Sequence, residues 1–359
     1  MELTELGNLR LMNQQISRGK IKTAGKLVGW MGAMQAQDYG MAKWAIGMRV
    51  PGSTDKSIET AIDKGEILRT HLLRPTWHFV SASDIHWMLV LTAPRIKAAM
   101  SSRQKQLGLT QAIFTETITI MENALSGGKH LTREALITEL KQAKIAVDEN
   151  RASHLLARAE LDGVLCSGAT QKGKQTYALL EERVPKSQTL SKEESLARLA
   201  QIYFSSRGPA TIQDFAWWSG LTLTACRQAL EMVKAGFISE TIDTKNYWFP
   251  NSQGSARQDK QQAYLLPAYD EFTICYADRS AVIPSGEKTR LTSENGIFRP
   301  ILVVNGQVQG IWKRRFKKEQ VLVEIDFFTP PDKKTMESIE KAVMKYGIFL
   351  GKTPEIIQA

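Results

Sequence analysis

Three segments of the chain repeat one pattern, in which a helix-forming stretch ends at a glycine and an apolar strand follows. The three glycines are Gly65, Gly163 and Gly236 of a 359-residue sequence. Glycine at such a position readily adopts the left-handed conformation that closes a helix, so each junction predicts a helix followed at once by a strand. Because an alternating hairpin comes after each junction, the repeat predicts three winged-helix units, a fold that places a helix and a hairpin on DNA.

The second unit shows the pattern in full. Thr132 stands where it can cap one helix, and Gly163 ends the next. Two strand segments then flank a tip at residues 169–175, which contains Lys172 and Lys174. Lysines at an exposed hairpin tip are suited to the DNA backbone, so we expect both to contact phosphates.

The last part of the chain changes character. Residues 251–262 are polar and predict a linker, and the dipeptide Asn305-Gly306 predicts a tight type I′ hairpin turn. Several short β-rich runs predict a small β-barrel, and a helix over roughly residues 331–347 is expected to close the chain. The β-rich runs are 264–267, 273–276, 299–304, 307–312 and 321–325.

The predicted fold class is therefore α+β, mainly α, with three tandem winged-helix units followed by a small C-terminal β-barrel. The expected domains are residues 1–100, 101–187 and 188–255 for the three winged helices, and 256–359 for the barrel and closing helix.

An excess of positive charge indicates a polyanionic partner. The chain has 47 Lys and Arg against 37 Asp and Glu, a formal net charge of +10. Nucleic acid is the first candidate for such a partner, and double-stranded DNA suits the winged helices. No apolar run is long enough to span a bilayer, so we expect a cytoplasmic, nucleoid-associated protein with no membrane partner.

The sequence lacks the common signatures of metal and nucleotide enzymes, which are His-Glu-x-x-His, the Walker loop and the dinucleotide glycine fingerprint. Its three cysteines, Cys166, Cys226 and Cys275, are widely separated and are interpreted as buried thiols. We therefore expect no metal site and no cofactor.

A second basic segment follows the predicted hairpin turn. It reads Lys-Arg-Arg-Phe-Lys-Lys from residue 313, and its candidate phosphate contacts are Lys313, Arg314, Arg315 and Lys317. The alternative for such a run is a solvated surface without a ligand. Four tryptophans are expected in the core rather than on a base-stacking surface: Trp44, Trp77, Trp217 and Trp218.

Gln35-Ala36-Gln37-Asp38 is the segment most suggestive of chemistry. It is predicted to lie between a helix carrying apolar residues through Met34 and a helix that begins at Met41. In extended backbone a spacing of two directs side chains to the same side. Because an amide both donates and accepts, two such amides can hold a water molecule, although surface or capping roles are the ordinary alternative.

This segment resembles the catalytic glutamine motif of the AlkZ/YcaQ family of winged-helix DNA glycosylases. Further segments resemble the same family over nearly the whole chain, namely residues 69–80, 265–272, 278–280 and 298–314. Gln37 matches the two-glutamine, AlkZ-like branch. Pro75 stands where glycine is common in the family, and proline removes a backbone N–H donor at that position.

The resemblance implies a DNA N-glycosylase that removes alkylated bases such as N7-alkylguanine, and some members of the family unhook interstrand crosslinks. We expect a monofunctional enzyme, and a monomer because three fused units make dimerisation unnecessary. Gln35 and Gln37 would position the attacking water, and Asp38 is the fallback carboxylate. Neutral glutamine cannot act as a base, but a cationic N7-alkylguanine leaves without a strong general acid. The candidate DNA contacts in residues 69–80 are Arg69, Arg74 and Thr76, with a structural role as the alternative for both arginines.

Two other functions remain open at this stage. A winged-helix regulator would bind DNA without catalysis, although no ligand-binding or coiled-coil segment supports it. A protein-interaction scaffold would show no salt-dependent DNA affinity. His78, which lies among apolar residues, is expected to be a core histidine rather than a catalytic group.

Overall fold

A computed structural model describes residues 3–185, 189–251, 262–293 and 296–358. These residues form a mixed α/β structure in which four successive groups of helices and strands follow one another along the chain.

The first group contains a three-stranded antiparallel sheet in the order β1-β3-β2. Its elements are α1 (Leu3–Asn13), α2 (Ala24–Met31), β1 (Ala33–Gln35), α3 (Tyr39–Gly47), α4 (Asp55–Asp63), β2 (Ile67–Leu72), β3 (Thr76–Ser81) and α5 (Ile85–Gln106). The domain boundary expected at residue 100 falls inside α5.

The second group has a sheet in the order β4-β6-β5. Its elements are α6 (Gln111–Leu125), β4 (Leu131–Thr132), α7 (Arg133–Gln142), α8 (Arg151–Leu161), β5 (Leu165–Ser167), β6 (Thr176–Leu179) and α9 (Leu180–Arg183). The third group ends in a two-stranded hairpin. It comprises α10 (Lys192–Arg207), α11 (Ile212–Ser219), α12 (Leu223–Val233), β7 (Phe237–Ile242) and β8 (Lys245–Pro250).

The last group is built on one five-stranded sheet in the order β13-β12-β11-β10-β9. Its elements are β9 (Ala263–Leu266), α13 (Glu271–Ile274), β10 (Ile301–Val304), β11 (Gln307–Phe316), β12 (Gln320–Phe327), α14 (Lys333–Leu350) and β13 (Thr353–Gln358). Within the described residues β9 and β13 are the two end strands and do not pair with each other, so the sheet is open.

Two of the three predicted glycine junctions have the expected backbone. Gly65 and Gly163 have φ of +77° and +72°, and each follows a helix and precedes a strand. Gly236 differs, because it ends a 3₁₀ turn, Lys234–Gly236, that links α12 to β7 without a left-handed residue. The Asn305-Gly306 turn is confirmed, with φ of +49° and +79° at its two residues.

Several local predictions are wrong. Met34 lies in β1 rather than in the preceding helix, and Gly40 lies inside α3 instead of interrupting it. Residues 273–276, predicted as a strand, include the end of the short helix α13. The closing helix is followed by β13, which was not predicted. Most of the predicted linker, residues 252–261, lies outside the described residues.

The hydrophobic cores do not follow the order of the chain. One core joins α1–α4 to the C-terminal sheet, where Trp44 and Trp312 both pack against Tyr346. A second joins the β2–β3 hairpin and α5 to the third group, and Trp218 is fully buried there. Most buried apolar residues of the second group form a core of their own, while Cys166, Leu180 and Val184 belong to the second core. As a result, the first group is held between the third group and the C-terminal sheet.

No helix in the described part of the chain is long and apolar enough to cross a membrane. The three cysteines are buried free thiols, as predicted. Burial raises the pKa of Cys166 and of Cys275 to about 12, and that of Cys226 to about 11. The thiols are therefore protonated at physiological pH and act as small apolar side chains.

Candidate active site

The two glutamines lie on an extended segment between two helices. After α2 ends, Gly32 at φ +70° turns the chain into β1, where Gln35 pairs with His78 of β3. The ladder continues one step further, because the Ala36 N–H donates to the Trp77 carbonyl at 2.7 Å. Gln37 follows at a spacing of two, so the predicted non-helical backbone is confirmed.

Both side-chain amides are fixed by a hydrogen bond to their carbonyl oxygen. Gln35 Oε1 accepts from Arg74 Nη2 at 3.1 Å, and Gln37 Oε1 accepts from the Trp77 N–H at 2.9 Å. Both partners can only donate, so they determine which end of each amide faces them. Each carbonyl oxygen keeps a second lone pair for another donor. Gln37 is exposed and Gln35 is half-buried.

A buried ion pair holds the backbone around Gln35. Glu271 Oε1 accepts the Gln35 N–H at 2.9 Å, and its other oxygen accepts from Arg207 Nη2 at 2.5 Å and from the Trp218 indole at 3.1 Å. Arg207 also donates to the carbonyls of Met31 and Ala33, each at 2.7 Å. The residues preceding Gln35 are thus tied to α10 and α13.

Sequence reasoning missed both members of this ion pair. Arg207 lies at the end of an ordinary amphipathic helix, and 236 positions separate Glu271 from Gln35. The available signal was Asp270-Glu271 within an apolar stretch, since adjacent carboxylates in such a context need buried partners. Asp270 has one too, because it forms a buried ion pair with Arg49 at 2.8 Å.

His78 lies behind Gln35 in the sheet and is fully buried, as expected for a core histidine. Its Nδ1 lies 2.9 Å from the carbonyl of Thr76. Burial, reinforced by the charge of Arg74, lowers the pKa of His78 well below its usual range. The imidazole is therefore neutral at physiological pH.

Arg69 and Arg74 both have partners inside the protein. Arg69 Nε donates to the Ala36 carbonyl at 2.9 Å, and its guanidinium lies 4.3 Å from the centre of the Trp77 ring. Burial lowers the pKa of Arg74, while the charge of Glu271 opposes that change. Both arginines thus support the glutamine segment, the structural alternative stated for them. Thr76 is half-buried at the start of β3.

Asp38 begins the next helix and has a structural role there. Its Oδ1 accepts the Met41 N–H at 3.0 Å and caps α3. The same oxygen lies 3.6 Å from Arg314 Nη2, and 43% of the side chain is exposed. The carboxylate is therefore held next to Gln37 with part of its surface open to solvent.

Comparison with known proteins identifies the family to which this chain belongs. The sequence profile of the family described as DNA glycosylase AlkZ-like matches residues 28–349. The chain belongs to this family. It is accordingly a DNA glycosylase, a hydrolase of the N-glycosidic bond that acts in DNA repair, and the regulator hypothesis is set aside.

Two relatives agree with the assignment to the AlkZ-like family. An interstrand DNA cross-link repair glycosylase from Streptomyces sahachiroi is 22% identical over 323 residues, which cover 85% of each chain. The solved structure of Streptomyces sahachiroi DNA glycosylase AlkZ has a TM-score of 0.82 and 18% identity, with 100% of both chains covered. The two proteins therefore share one fold.

The basic segment of this AlkZ-like chain covers the C-terminal end of β11 and the two residues after it, and its side chains have two different roles. Lys313 and Arg315 are exposed, and their nearest anionic partner is Glu324, at 3.5 and 2.9 Å. Arg314 instead turns inward and donates to the Tyr346 hydroxyl at 2.8 Å, beside Asp38. Lys317 follows the strand and is exposed.

The hairpin of the second group carries its lysines as predicted. Lys172 and Gly173 form the turn, with φ of +49° and +77°, and Lys174 follows; all three are exposed. The tip is anchored to the glutamine segment, because Arg69 Nη1 donates to the Gln175 side chain at 2.9 Å. A cavity of about 580 Å³ lies between the tip and the first group. Its basic lining residues are Arg69, Arg133 and Lys174.

Proposed function

We propose that this glycosylase removes alkylated bases, N7-alkylguanine in particular, from double-stranded DNA, and that Gln35 and Gln37 position the attacking water. The observation that carries the proposal is the fixed orientation of both amides. Arg74 and the Trp77 N–H each occupy one lone pair of a carbonyl oxygen, and the second lone pair of each oxygen accepts from the water.

The chemistry fits two neutral amides. N7-alkylguanine is cationic, so breaking its glycosidic bond releases a neutral base and leaves positive charge on the sugar. Water adds its oxygen to the sugar carbon and loses one proton. Amide carbonyls orient the water and stabilise the developing positive charge, but they are too weakly basic to keep the proton. The proton passes to Asp38, the adjacent carboxylate, or to solvent.

The protein around this site is proposed to hold duplex DNA as a monomer. The three helix-and-hairpin groups act as winged-helix units with the domain limits predicted above, and the open C-terminal sheet forms half of a barrel beside them. Phosphate contacts are assigned to the exposed cations of the hairpin tip and of β11. These are Lys172, Lys174, Lys313, Arg315 and Lys317.

A second substrate class, the interstrand crosslink, is suggested by the name of the Streptomyces relative. One feature of this chain favours it. Gln37 is exposed, and 43% of the Asp38 side chain is open. Such an open site can accept a base that is still attached to the opposite strand, which an enclosed pocket cannot.

The test is the Gln37→Ala variant. We expect release of N7-methylguanine from methylated duplex to fall by about 100-fold or more, the usual effect of removing one preorganised polar group. Affinity for unmodified duplex should stay within about twofold. Gln106→Ala, on the exposed end of α5, is the matched control. Normal release by Gln37→Ala would overturn the proposal.

A further inference from the structure

Four side chains form a continuous row of aromatic rings and one guanidinium near the glutamine segment. The Tyr269 and Phe298 ring centres are 6.1 Å apart. The Arg279 guanidinium lies 5.0 Å from the Phe298 ring centre and 5.7 Å from that of Trp217. We call these residues, Tyr269, Phe298, Arg279 and Trp217, the aromatic–arginine row.

Hydrogen bonds fix the row in place, with Trp217 exposed and Tyr269, Arg279 and Phe298 half-buried. Trp217, which was expected in the core, is 47% exposed, while its neighbour Trp218 is fully buried. The Trp217 indole N–H donates to the Ile274 carbonyl at 2.9 Å. Arg279 Nε donates to the Thr273 carbonyl at 2.7 Å. The backbone of α13 therefore fixes the orientation of both groups, and a ligand would lose little by ordering them.

The row lies next to the glutamine site through two connections. Through α13, Glu271 accepts the Gln35 N–H, and Tyr269 precedes Glu271 by two residues. The second connection is the end of α11, the helix that carries Trp217. Its C-cap residue Gly220 lies against the Leu73 carbonyl, and a Cβ at that glycine would be 2.4 Å from the carbonyl oxygen. The next residue after Leu73 is Arg74, which holds the Gln35 amide.

Electrostatics agree with this placement. Burial raises the pKa of Tyr269, and the charge of Asp38 adds to the increase. The Tyr269 ring is thus within electrostatic reach of the residue that follows Gln37. The row extends from the end of the glutamine segment towards the third group.

The chemistry of the row selects its ligand. Aromatic faces and a planar guanidinium both stack on nucleobases, and such surfaces recognise bases regardless of their identity. Inside a duplex both faces of a base are already stacked, so the ligand must be a base that has left the stack. We propose that the aromatic–arginine row is a stacking platform for an unpaired nucleobase of the bound DNA. This inference rests on the proposed function of the glutamine site for its biological role.

Binding of DNA without any lesion tests the platform. The probe is a duplex with one bulged 2-aminopurine, whose fluorescence falls when it stacks on an aromatic ring. The wild-type protein should bind this duplex more tightly than a fully paired one and quench the probe. The double variant Trp217→Ala/Phe298→Ala should lose about 10- to 100-fold in affinity for the bulged duplex, as removal of base–aromatic stacking does. Its affinity for the paired duplex should change by less than about threefold.

Two further variants make the result decisive. Trp217→Phe keeps an aromatic face and should retain most of the preference for the bulge. It is the conservative variant to measure if the double variant does not fold. Ile348→Ala removes a 68% exposed apolar side chain of α14 and should behave like wild type. Full quenching and unchanged bulge affinity in the folded Trp217→Ala/Phe298→Ala variant would overturn the proposal.

The outcome is separable from that of the proposed function, because no base is excised in this assay. Gln37→Ala should keep the bulge preference while losing excision. Normal excision by Gln37→Ala together with a lost preference in the double variant would reject the water-positioning role and support the platform.

Discussion

At the scale of single residues, the position of Gln35 depends on Glu271. Its carboxylate accepts the Gln35 N–H and pairs with Arg207, and both charged side chains are at most 1% exposed. Glu271→Gln keeps the shape but leaves a buried guanidinium without its counter-charge. Removing one partner of a buried pair costs about 3–5 kcal/mol, so we expect the free energy of unfolding in urea to fall by that amount.

Glu287→Gln is the control for this prediction. It removes a carboxylate from a surface pair with Arg290, at 3.1 Å, in which the side chains are 24% and 35% exposed. Surface pairs contribute about 1 kcal/mol or less. A similar loss in the free energy of unfolding for the two variants would show that burial does not increase the contribution of the Glu271 carboxylate to stability.

His78 predicts how stability responds to acid. Burial lowers its pKa well below the usual value, while a histidine in the unfolded chain has a pKa of about 6.5. Below that pH the unfolded chain binds a proton that the folded protein does not. Its stability therefore decreases as the pH falls, by at most about 1.4 kcal/mol per pH unit from this group, and is unaffected above about pH 7.5.

The measurement compares wild type with His78→Gln by urea unfolding at several pH values from 7.5 to 5. The variant has a lower stability throughout but lacks this titration, so its stability should fall less steeply below about pH 6.5. Parallel curves for the two proteins would contradict a neutral His78.

At the scale of elements, the close approach of α11 to the β2–β3 turn depends on Gly220. Its φ is +69°, and a Cβ there would lie 2.4 Å from the Leu73 carbonyl oxygen. Gly220→Ala forces the turn that carries Arg74 to move. We expect a loss of about 2–4 kcal/mol in the free energy of unfolding and a slower excision of N7-methylguanine.

Gly52→Ala separates the effect of the positive φ from the effect of the contact with Leu73. Gly52 has a similar φ of +74°, but its added Cβ would meet nothing within 4 Å. It therefore reports the backbone strain alone, about 1 kcal/mol, with normal excision. An equal effect of the two substitutions would show that the contact with Leu73 has no influence on the site.

Much of the element structure was predictable, because it depends on short-range rules. Thr132 caps a helix as expected, Thr211 and Thr222 follow the same rule, and each accepts a backbone N–H three residues on. The Asn305-Gly306 turn follows from its dipeptide. The 273–276 segment was predicted wrongly because its β-branched and aromatic residues favour a strand, whereas the Asp270 cap starts a helix at Glu271.

The glutamine segment itself was predicted, but its supports were not. The sequence placed Gln35 and Gln37 between two helices, where extended backbone would direct both amides to the same side. Which atoms fix their amides depends on the turn before β3 and on β3 itself, 39 and 40 positions away. Contacts at such separations leave no periodic trace in one sequence, and Glu271 is more distant still.

At the scale of the whole molecule, the cores divide the chain differently from the repeat. The first group shares its two cores with the C-terminal sheet and the third group, whereas most buried apolar residues of the second group form a separate core. The pairs Arg49–Asp270 and Arg207–Glu271 tighten the same connections. The glutamine segment consequently lies where the first group, the third group and the last group meet. The second group contacts the first group next to this segment, through Arg69 and Gln175.

This arrangement predicts which cations determine the salt dependence of DNA binding. The net charge of +10 favours a polyanion in general. Only the lysines and arginines that contact phosphates affect the salt dependence, because each one makes the slope of log K against log salt steeper by about 0.9. Lys172 and Lys174 are exposed on a tip that Arg69 anchors through Gln175. Lys172→Gln/Lys174→Gln should therefore make the slope shallower by about 1.8 and leave excision at saturating enzyme nearly unchanged.

Two further variants serve as comparisons for this prediction. Lys141→Gln removes an exposed cation at the end of α7, away from the hairpin, and should leave the slope as in wild type. Lys313→Gln/Arg315→Gln should reduce the slope by less than the tip variant, because Glu324 already offsets part of their charge in the free protein. Binding measured from 50 to 300 mM salt gives all four slopes. If the tip variant kept the wild-type slope while the β11 variant lost most of it, the C-terminal sheet and not the second hairpin would be the main phosphate-binding surface.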